Sequence, residues 1–325
     1  MTHPGDPFIN PQLREFGETI FAEMSALALE TGAINLGQGF PDTDGPSEIA
    51  ELAVAAIRNG HNQYPPGLGI PDLRRAIAAH QKRFYNLEFD FETEVLVTAG
   101  ATEGIAASLL SICDSDDEII TFEPYYDSYA ASIALAGAKR RVVTLRTPTY
   151  DFDPDELRKA VNANTKAILV NSPHNPTGKV FNTDELAIIS EICQENDLIA
   201  ICDEVYEHLV FEGSHKPLIS FPGMRDRTIQ ISSAGKTFSF TGWKIGWVCA
   251  QPALMSTVRT AKQFLTYVNG APFQHAVAAA LDLPEAPSSP AIPCDLLLSA
   301  SVQRQFQSKD RLYPSMLDGS LPFPC

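Results

Sequence analysis

Four short segments of this 325-residue chain place polar side chains directly after an apolar run. Gly100-Ala101-Thr102 follows VLVTA and opens a stretch of helical pattern. Free N–H groups at a helix start, with a hydroxyl beside them, suit a phosphate. A small-residue turn that only caps a helix has the same composition. Segment 171–178, NSPHNPTG, follows KAILV. It reads as a polar turn, since Asn-Pro and Thr-Gly both punctuate chains, or as a ligand loop in which Asn175 offers an amide beside a proline. Asp203-Glu204-Val205-Tyr206 follows LIAIC. A carboxylate closing an apolar strand is costly to bury unless it is paired, so Asp203 is a helix cap or a functional acid. Segment 232–238, SSAGKTF, leads into TGWKIGW. Lys236 is there either a solvated surface charge or an amine desolvated among small and aromatic residues, with a lowered pKa and nucleophilic character.

Taken together, the four segments supply a phosphate cradle, a buried carboxylate, phenol and amide donors and an activated lysine. These are the parts that a pyridoxal phosphate site needs. The cofactor acts as an electron sink, while the protein supplies orientation and electronics. The lysine forms a Schiff base with it, and the carboxylate keeps the pyridine nitrogen protonated.

The elements that must position these groups are legible in the hydropathy pattern. Seven short β-branched runs, at 94–98, 117–122, 141–145, 166–171, 198–203, 228–232 and 246–250, alternate with helical stretches. Several runs are apolar at every position, as expected of strands covered by helices on both faces of a mostly parallel sheet. In an open α/β sheet ligands bind beyond the carboxyl ends of strands, where all four segments fall. Thr183 is expected to cap a helix that carries Asp184 and Glu185 in its first turn and Leu186, Ile189 and Ile192 on one face. Pro71 suits a first helical position ahead of Leu73, Ile77 and Phe84. A further helix is expected at about 16–31, followed by INLGQGF and a Pro/Asp/Gly segment.

Composition narrows the function classes. With 40 acidic and 24 basic side chains the formal charge is −16, which disfavours nucleic acid and anionic membrane surfaces as partners. No apolar run approaches the roughly 20 residues needed to span a bilayer. The N-terminus lacks a basic head followed by an apolar stretch, so no signal peptide is expected. Six cysteines without CxxC spacing read as reduced thiols of a cytoplasmic protein.

The chain resembles the class I/II aminotransferases of the pyridoxal phosphate fold type I. Within them it is most similar to the branch holding kynurenine aminotransferases, which also act as cysteine-S-conjugate β-lyases, and N-succinyldiaminopimelate aminotransferases. The resemblance is carried by NLGQGFPD (35–42), NQYPPGLGIPDLRRAI (62–77), VTAGATEGI (97–105), FEPYYDSY (122–129), NSPHNPTG (171–178), CDEVYEHLVF (202–211) and SSAGKTFSFTGWKIGW (232–247). It implies that Lys236 carries the cofactor and then acts as general base and acid, and that Asp203 pairs with the pyridinium nitrogen. Tyr206 and Asn175 would hydrogen-bond the cofactor's phenolic oxygen, Asn175 also serving the substrate. Tyr126 would stack on the ring, with Tyr125 as the alternative. Gly100, Ala101, Thr102, Ser233 and Lys244 would hold the phosphate, Lys244 replacing the arginine of many relatives and losing its bidentate fork. Tyr64 would reach the phosphate in the neighbouring subunit of a homodimer, and Gly39 would offer its N–H to the substrate carboxylate. No metal is implied.

The implied fold is α/β: a three-layer, mostly parallel sheet of the type I transferase kind, with an incomplete small domain. An N-terminal arm and small-domain segment would occupy 1–45, a large cofactor domain 46–282 and an aberrant tail 283–325. Seven of the 24 prolines and seven serines crowd into 284–325. This segment carries no family motif, and no role passes to Arg304 or Arg311. A frameshifted or mis-spliced end is the expected origin, with a genuine low-complexity tail as the alternative. The implied reaction is transamination between an amino acid and a 2-oxo acid. The alternatives are a cofactor-binding remnant with little turnover and a β-lyase.

Overall fold

The computed structural model describes residues 8–35 and 45–283. The expectations for Gly39, for the Pro/Ser-rich end and for Arg304 and Arg311 lie outside them. Helix α1 (Ile20–Thr31) starts later than the hydropathy pattern suggests, because the Thr19 side chain accepts from the Ala22 N–H and so fixes the first turn. Helices α2 (Ser47–Arg58) and α3 (Pro71–Tyr85) follow, the latter with Pro71 in its first turn.

All seven expected strands are present and form one sheet: β1 (Val95–Ala99), β2 (Glu118–Glu123), β3 (Lys139–Thr144), β4 (Thr165–Asn171), β5 (Ile199–Asp203), β6 (Thr228–Ser233) and β7 (Ile245–Cys249). Between and after them run α4 (Gly100–Ile112), α5 (Ser128–Leu135), α6 (Pro154–Ala160), α7 (Thr183–Glu195), α8 (Ala234–Thr237), α9 (Pro252–Leu265) and α10 (Ala271–Asp282). The strand order is β1-β7-β6-β5-β4-β2-β3. Only β7 opposes its neighbours; the other pairings are parallel.

Successive residues of a strand face opposite sides of a sheet, and here both sides are apolar. Leu96, Ala167, Leu169, Ile201, Ile231 and Val248 pack with Ile105 and Leu109 of α4, Ile133 of α5 and Val258 of α9. On the other face Val95, Val97 and Trp247 meet Leu73 and Ile77 of α3 and Val277 of α10. Ile168, Val170 and Cys202 on that same face meet Leu186 and Ile189 of α7. Helices on both faces make the three layers that doubly apolar strands require.

The helix that follows β4 corrects one expectation. Its cap is Asn182, one residue before Thr183. The Asn182 side chain accepts from the Glu185 N–H at 3.0 Å, and the Glu185 carboxylate accepts from the Asn182 N–H at 2.9 Å. This reciprocal pair satisfies two otherwise orphaned donors, which a lone threonine hydroxyl does not. Asn182→Ala is expected to cost about 1 kcal/mol of stability in a urea titration, and Thr183→Ala a few tenths. An equal loss in the two variants would contradict the assignment.

Candidate active site

The sheet gathers the four polar segments at one edge. Parallel β4, β5 and β6 end side by side at Asn171, Asp203 and Ser233. Strand β7 runs the other way, so its amino end, and Lys244 just before it, lies at that same edge. Ala99 at the end of β1 pairs with Ile245, which brings Gly100 and the start of α4 alongside. The result is a cavity of about 630 Å³. Ten residues marked out by the sequence line it: Gly100, Ala101, Thr102, Tyr126, Asn175, Asp203, Tyr206, Ser233, Lys236 and Lys244.

Asp203 is the acid of the site and is 4% exposed. The Tyr129 hydroxyl donates to its Oδ2 at 2.6 Å, and the Val205 N–H donates to Oδ1 at 3.3 Å. Burial pushes the carboxyl from 3.8 up to about 6, and the Tyr129 and Val205 hydrogen bonds hold it from rising further. Lys236 projects from α8 into the same cavity, with its Nζ 5.5 Å from the centre of the Tyr206 ring. Burial lowers the pKa of its amine; Asp203 opposes that shift and Lys244 adds to it. Burial and then the Asp203 charge push the Tyr206 phenol up to about 12, so it keeps its proton and can donate. The result is a desolvated amine facing a desolvated carboxylate, with neutral phenols beside them.

The other end of the cavity combines an uncapped helix start with a lysine. Helix α4 starts without any side-chain cap, so its first N–H groups are left for another acceptor. Gly100 has φ +74°, a left-handed conformation that suits glycine. A Cβ there would stand 3.2 Å from the Lys244 Nζ, so the ammonium lies over the helix start. Gly246 permits the approach of the two segments: a Cβ on it would lie 2.5 Å from the Gly100 carbonyl carbon and 2.6 Å from the Ala101 nitrogen. Asn269 fastens the same junction, donating to the Thr98 and Lys244 carbonyls at 2.8 and 3.1 Å.

Among the cavity residues that the sequence left without a role, three matter most. Tyr129 follows Tyr126 by three, in the first turn of α5, and its hydroxyl reaches Asp203; the Tyr-x-x-Tyr spacing across the helix start is the signal in the sequence. Asn171 ends β4, donates to the Asp203 carbonyl at 2.9 Å and accepts from the Asn175 N–H at 2.7 Å, so it joins two of the segments. Phe21 of α1 lines the cavity, its ring 6.5 Å from that of Tyr126; nothing in the α1 pattern distinguishes it from a packing residue. Tyr125 lies away from the cavity under the Arg140 guanidinium. Tyr64 is also outside it, 82% exposed and edge-on to Tyr267 at 5.7 Å.

Comparisons with known proteins agree with this chemistry. The family model "Aminotransferase class I and II" matches residues 31–322. A probable N-succinyldiaminopimelate aminotransferase of Mycobacterium tuberculosis is 55% identical over 278 residues, covering 85% of this chain and 70% of the relative. Human kynurenine–oxoglutarate transaminase 3 is 40% identical over 273 residues, covering 80% and 60% respectively. The structure of N-succinyldiaminopimelate aminotransferase from M. tuberculosis superposes with a TM-score of 0.87 at 51% identity, over 94% of this chain and 79% of that one.

The raised Asp203 pKa has a signed consequence for the cofactor-free protein. An acid whose pKa is higher folded than unfolded destabilises the fold as pH rises from about 4 to 6, and the penalty is complete above that. At about 1.4 kcal/mol per pH unit the penalty reaches about 3 kcal/mol. Asp203→Asn is therefore expected to be as stable as the parent at pH 3.5 and more stable by up to that amount at pH 7.5, read from denaturant midpoints. Tyr129→Phe removes a bond that favours the charged form, so it should move this pH dependence upward. A parent–variant difference that stays flat with pH would refute the assignment.

Proposed function

The chain belongs to the class I and II aminotransferases and is a transaminase; on that premise we propose that it moves the amino group of an N-succinylated diamino acid to a 2-oxo acid, with pyridoxal phosphate held in the cavity at the carboxyl edge of the sheet. Class I and II aminotransferases use this cofactor, and the residues present fit it. The uncapped start of α4, Ser233 and Lys244 would take the phosphate. Asp203, desolvated and aimed into the cavity, would take the protonated ring nitrogen. Tyr206 and Asn175 would hold the phenolic oxygen, and Tyr126 would lie against the ring. The observation that carries the reading is that Lys236 and Asp203, both desolvated, line one cavity and feel each other's charge.

When bound, pyridoxal phosphate supplies the carbonyl that receives the amino group and a ring that takes up the electrons freed at the substrate Cα. The chain's own residues do the rest. The lowered pKa of Lys236 leaves its Nζ able to accept the proton from the substrate Cα and to return it, the positioned acid–base role that contributes about 10²–10⁴-fold. Asp203 stays ionised once a cation stands against it, since opposite charge at close range favours the charged form. Tyr206, neutral to about pH 12, donates throughout. Gly39 would offer its N–H to the substrate carboxylate.

The substrate class rests on the likeness to the M. tuberculosis enzyme, and kynurenine or a cysteine S-conjugate is the second reading. The protein is further proposed to work as a cytoplasmic homodimer. Tyr64 would complete the neighbour's site; it packs on the exposed Tyr267, and exposed Phe264 and Leu265 at the end of α9 add apolar surface that association would cover. Four free thiols among the described residues, three of them buried, support a reducing compartment.

Protein mixed with pyridoxal phosphate is expected to develop a visible absorbance band and a borohydride-fixed adduct on Lys236. Lys236→Ala should lose the adduct and at least about 10³-fold in turnover. With 2-oxoglutarate as acceptor, N-succinyl-diaminopimelate should give a higher kcat/KM than kynurenine. The reverse order would overturn the substrate assignment, and an adduct on another lysine would overturn the site.

A further inference from the structure

A second cluster of polar side chains lies on the other face of the sheet, beneath α3. His80 of α3 is 1% exposed, and its Nε2 stands 2.8 Å from the Nε2 of His208, which follows β5 by five residues. Glu207 is 4% exposed. Its Oε1 accepts from the Ser232 hydroxyl at 2.5 Å, while its Oε2 is buried without a hydrogen-bond partner, the Tyr85 hydroxyl standing nearby. One ligand atom from each of His80, Glu207 and His208 lies within 4.8 Å of the others.

The transamination chemistry uses none of these groups, and each is expensive where it sits. A buried carboxylate met only by hydroxyls recovers little of its desolvation cost. Two imidazole nitrogens in contact have room for one proton between them, so at least one Nε2 turns a lone pair toward the other. Two imidazoles and a carboxylate converging on one point form a donor set that attracts a metal ion.

We propose that His80, Glu207 and His208 bind a divalent first-row transition cation, zinc foremost, which fastens α3 to the segment that carries Asp203 and Tyr206. Nitrogen donors select such ions over calcium or magnesium, which take oxygen ligands. Two imidazoles on one tetrahedral zinc, each at about 2.0–2.1 Å, place their nitrogens about 3.3 Å apart. The rings must therefore separate by about 0.5 Å, and the half-buried His208 has the freedom to do so. Loading moves the His80 ring proton to Nδ1, 3.4 Å from the Gln81 amide nitrogen, so that amide must turn its oxygen to the ring and give up the bond it now accepts from the Gln230 amide at 3.1 Å, a cost that metal binding has to offset. Ser232 already orients Glu207 through its other oxygen, the kind of outer support that metal-ligating carboxylates have. Three protein ligands leave the fourth position to a water entering past His208. The cation offsets the buried Glu207 charge.

The experiment uses the whole chain, stripped of metal with a chelator and dialysed, then titrated with Zn²⁺ in competition with a chromophoric chelator. Co²⁺ in a parallel sample reports coordination through its visible d–d bands. The expected result is one tight Zn²⁺ per chain, a tetrahedral-type Co²⁺ spectrum and a rise in Tm with zinc. His208→Gln, at the least buried ligand, should lower affinity about 100-fold or more and abolish the Tm rise, and Glu207→Gln should do the same. His275→Gln tests the surface pair His61–His275, whose rings lie 3.9 Å apart, and should change nothing. The proposal falls if the parent binds no stoichiometric zinc, if His208→Gln binds like the parent, or if binding is lost with His275→Gln.

Discussion

The desolvated carboxylate of Asp203 is the constraint around which the site is organised. A charge that water no longer reaches must be met by fixed partners or give up its ionisation. Asp203 has the Tyr129 hydroxyl on one oxygen, the Val205 N–H on the other and the Lys236 ammonium across the cavity. Each partner comes from a different element: α5, the segment after β5, and α8. The same burial that raises the acid lowers the lysine, so the two are tuned in opposite directions by one cause. That is the arrangement needed when one residue must hold a cation and the other must exchange a proton.

Bringing those elements together depends on a single reversal in the sheet. Were β7 parallel like β4, β5 and β6, Lys244 would lie at the far edge, and the start of α4 would face no cation. Because β7 is antiparallel, its entry, the exit of β1 and the exit of β6 meet at one point. Gly246 is what lets them meet, since any side chain there would collide with the backbone of Gly100 and Ala101. An anion-binding helix start needs bare N–H groups and a nearby positive charge. The strand order supplies the second, and the missing side-chain cap leaves the first.

Much of this was legible in the residues. The seven strands were readable because they are apolar on both faces, and the four polar segments were readable because each follows such a strand. What escaped the sequence was contact between segments. Tyr129 could be seen as an aromatic in a Tyr-rich stretch, but its bond to Asp203 joins residues 74 apart. Asn171 was included in a motif without a role of its own, because its function is to tie the NSPHNPTG loop to β5. The Asn182 cap was displaced by one residue, since Asn and Thr are both good caps and only the reciprocal Glu185 bond distinguishes them.

The segment from Asp203 to His208 carries a heavier burden than its motif suggests. It buries three carboxylates, Asp203, Glu204 and Glu207, within five residues. Asp203 faces the cavity with Tyr129, while Glu204 and Glu207 meet groups from the α3 side of the sheet. Glu204 accepts from the Gln230 amide at 2.7 Å and has the His215 Nε2 at 3.2 Å. Burial pulls the His215 pKa down, but the Glu204 and Glu207 charges more than offset this, so the imidazole carries a proton more readily than an ordinary histidine. Glu207 receives the Ser232 hydroxyl on one oxygen with the Tyr85 hydroxyl close by, and burial, with Glu204 adding to it, still pushes its carboxyl up to about 7. Of the three acids it is the least compensated by the chain itself, and it is the one with two imidazoles at hand. Asp203 has a donor on each oxygen and Glu204 faces an amide and an imidazole that carries a proton readily, whereas Glu207 faces hydroxyls alone, which leaves room beside it for a charge from outside the chain.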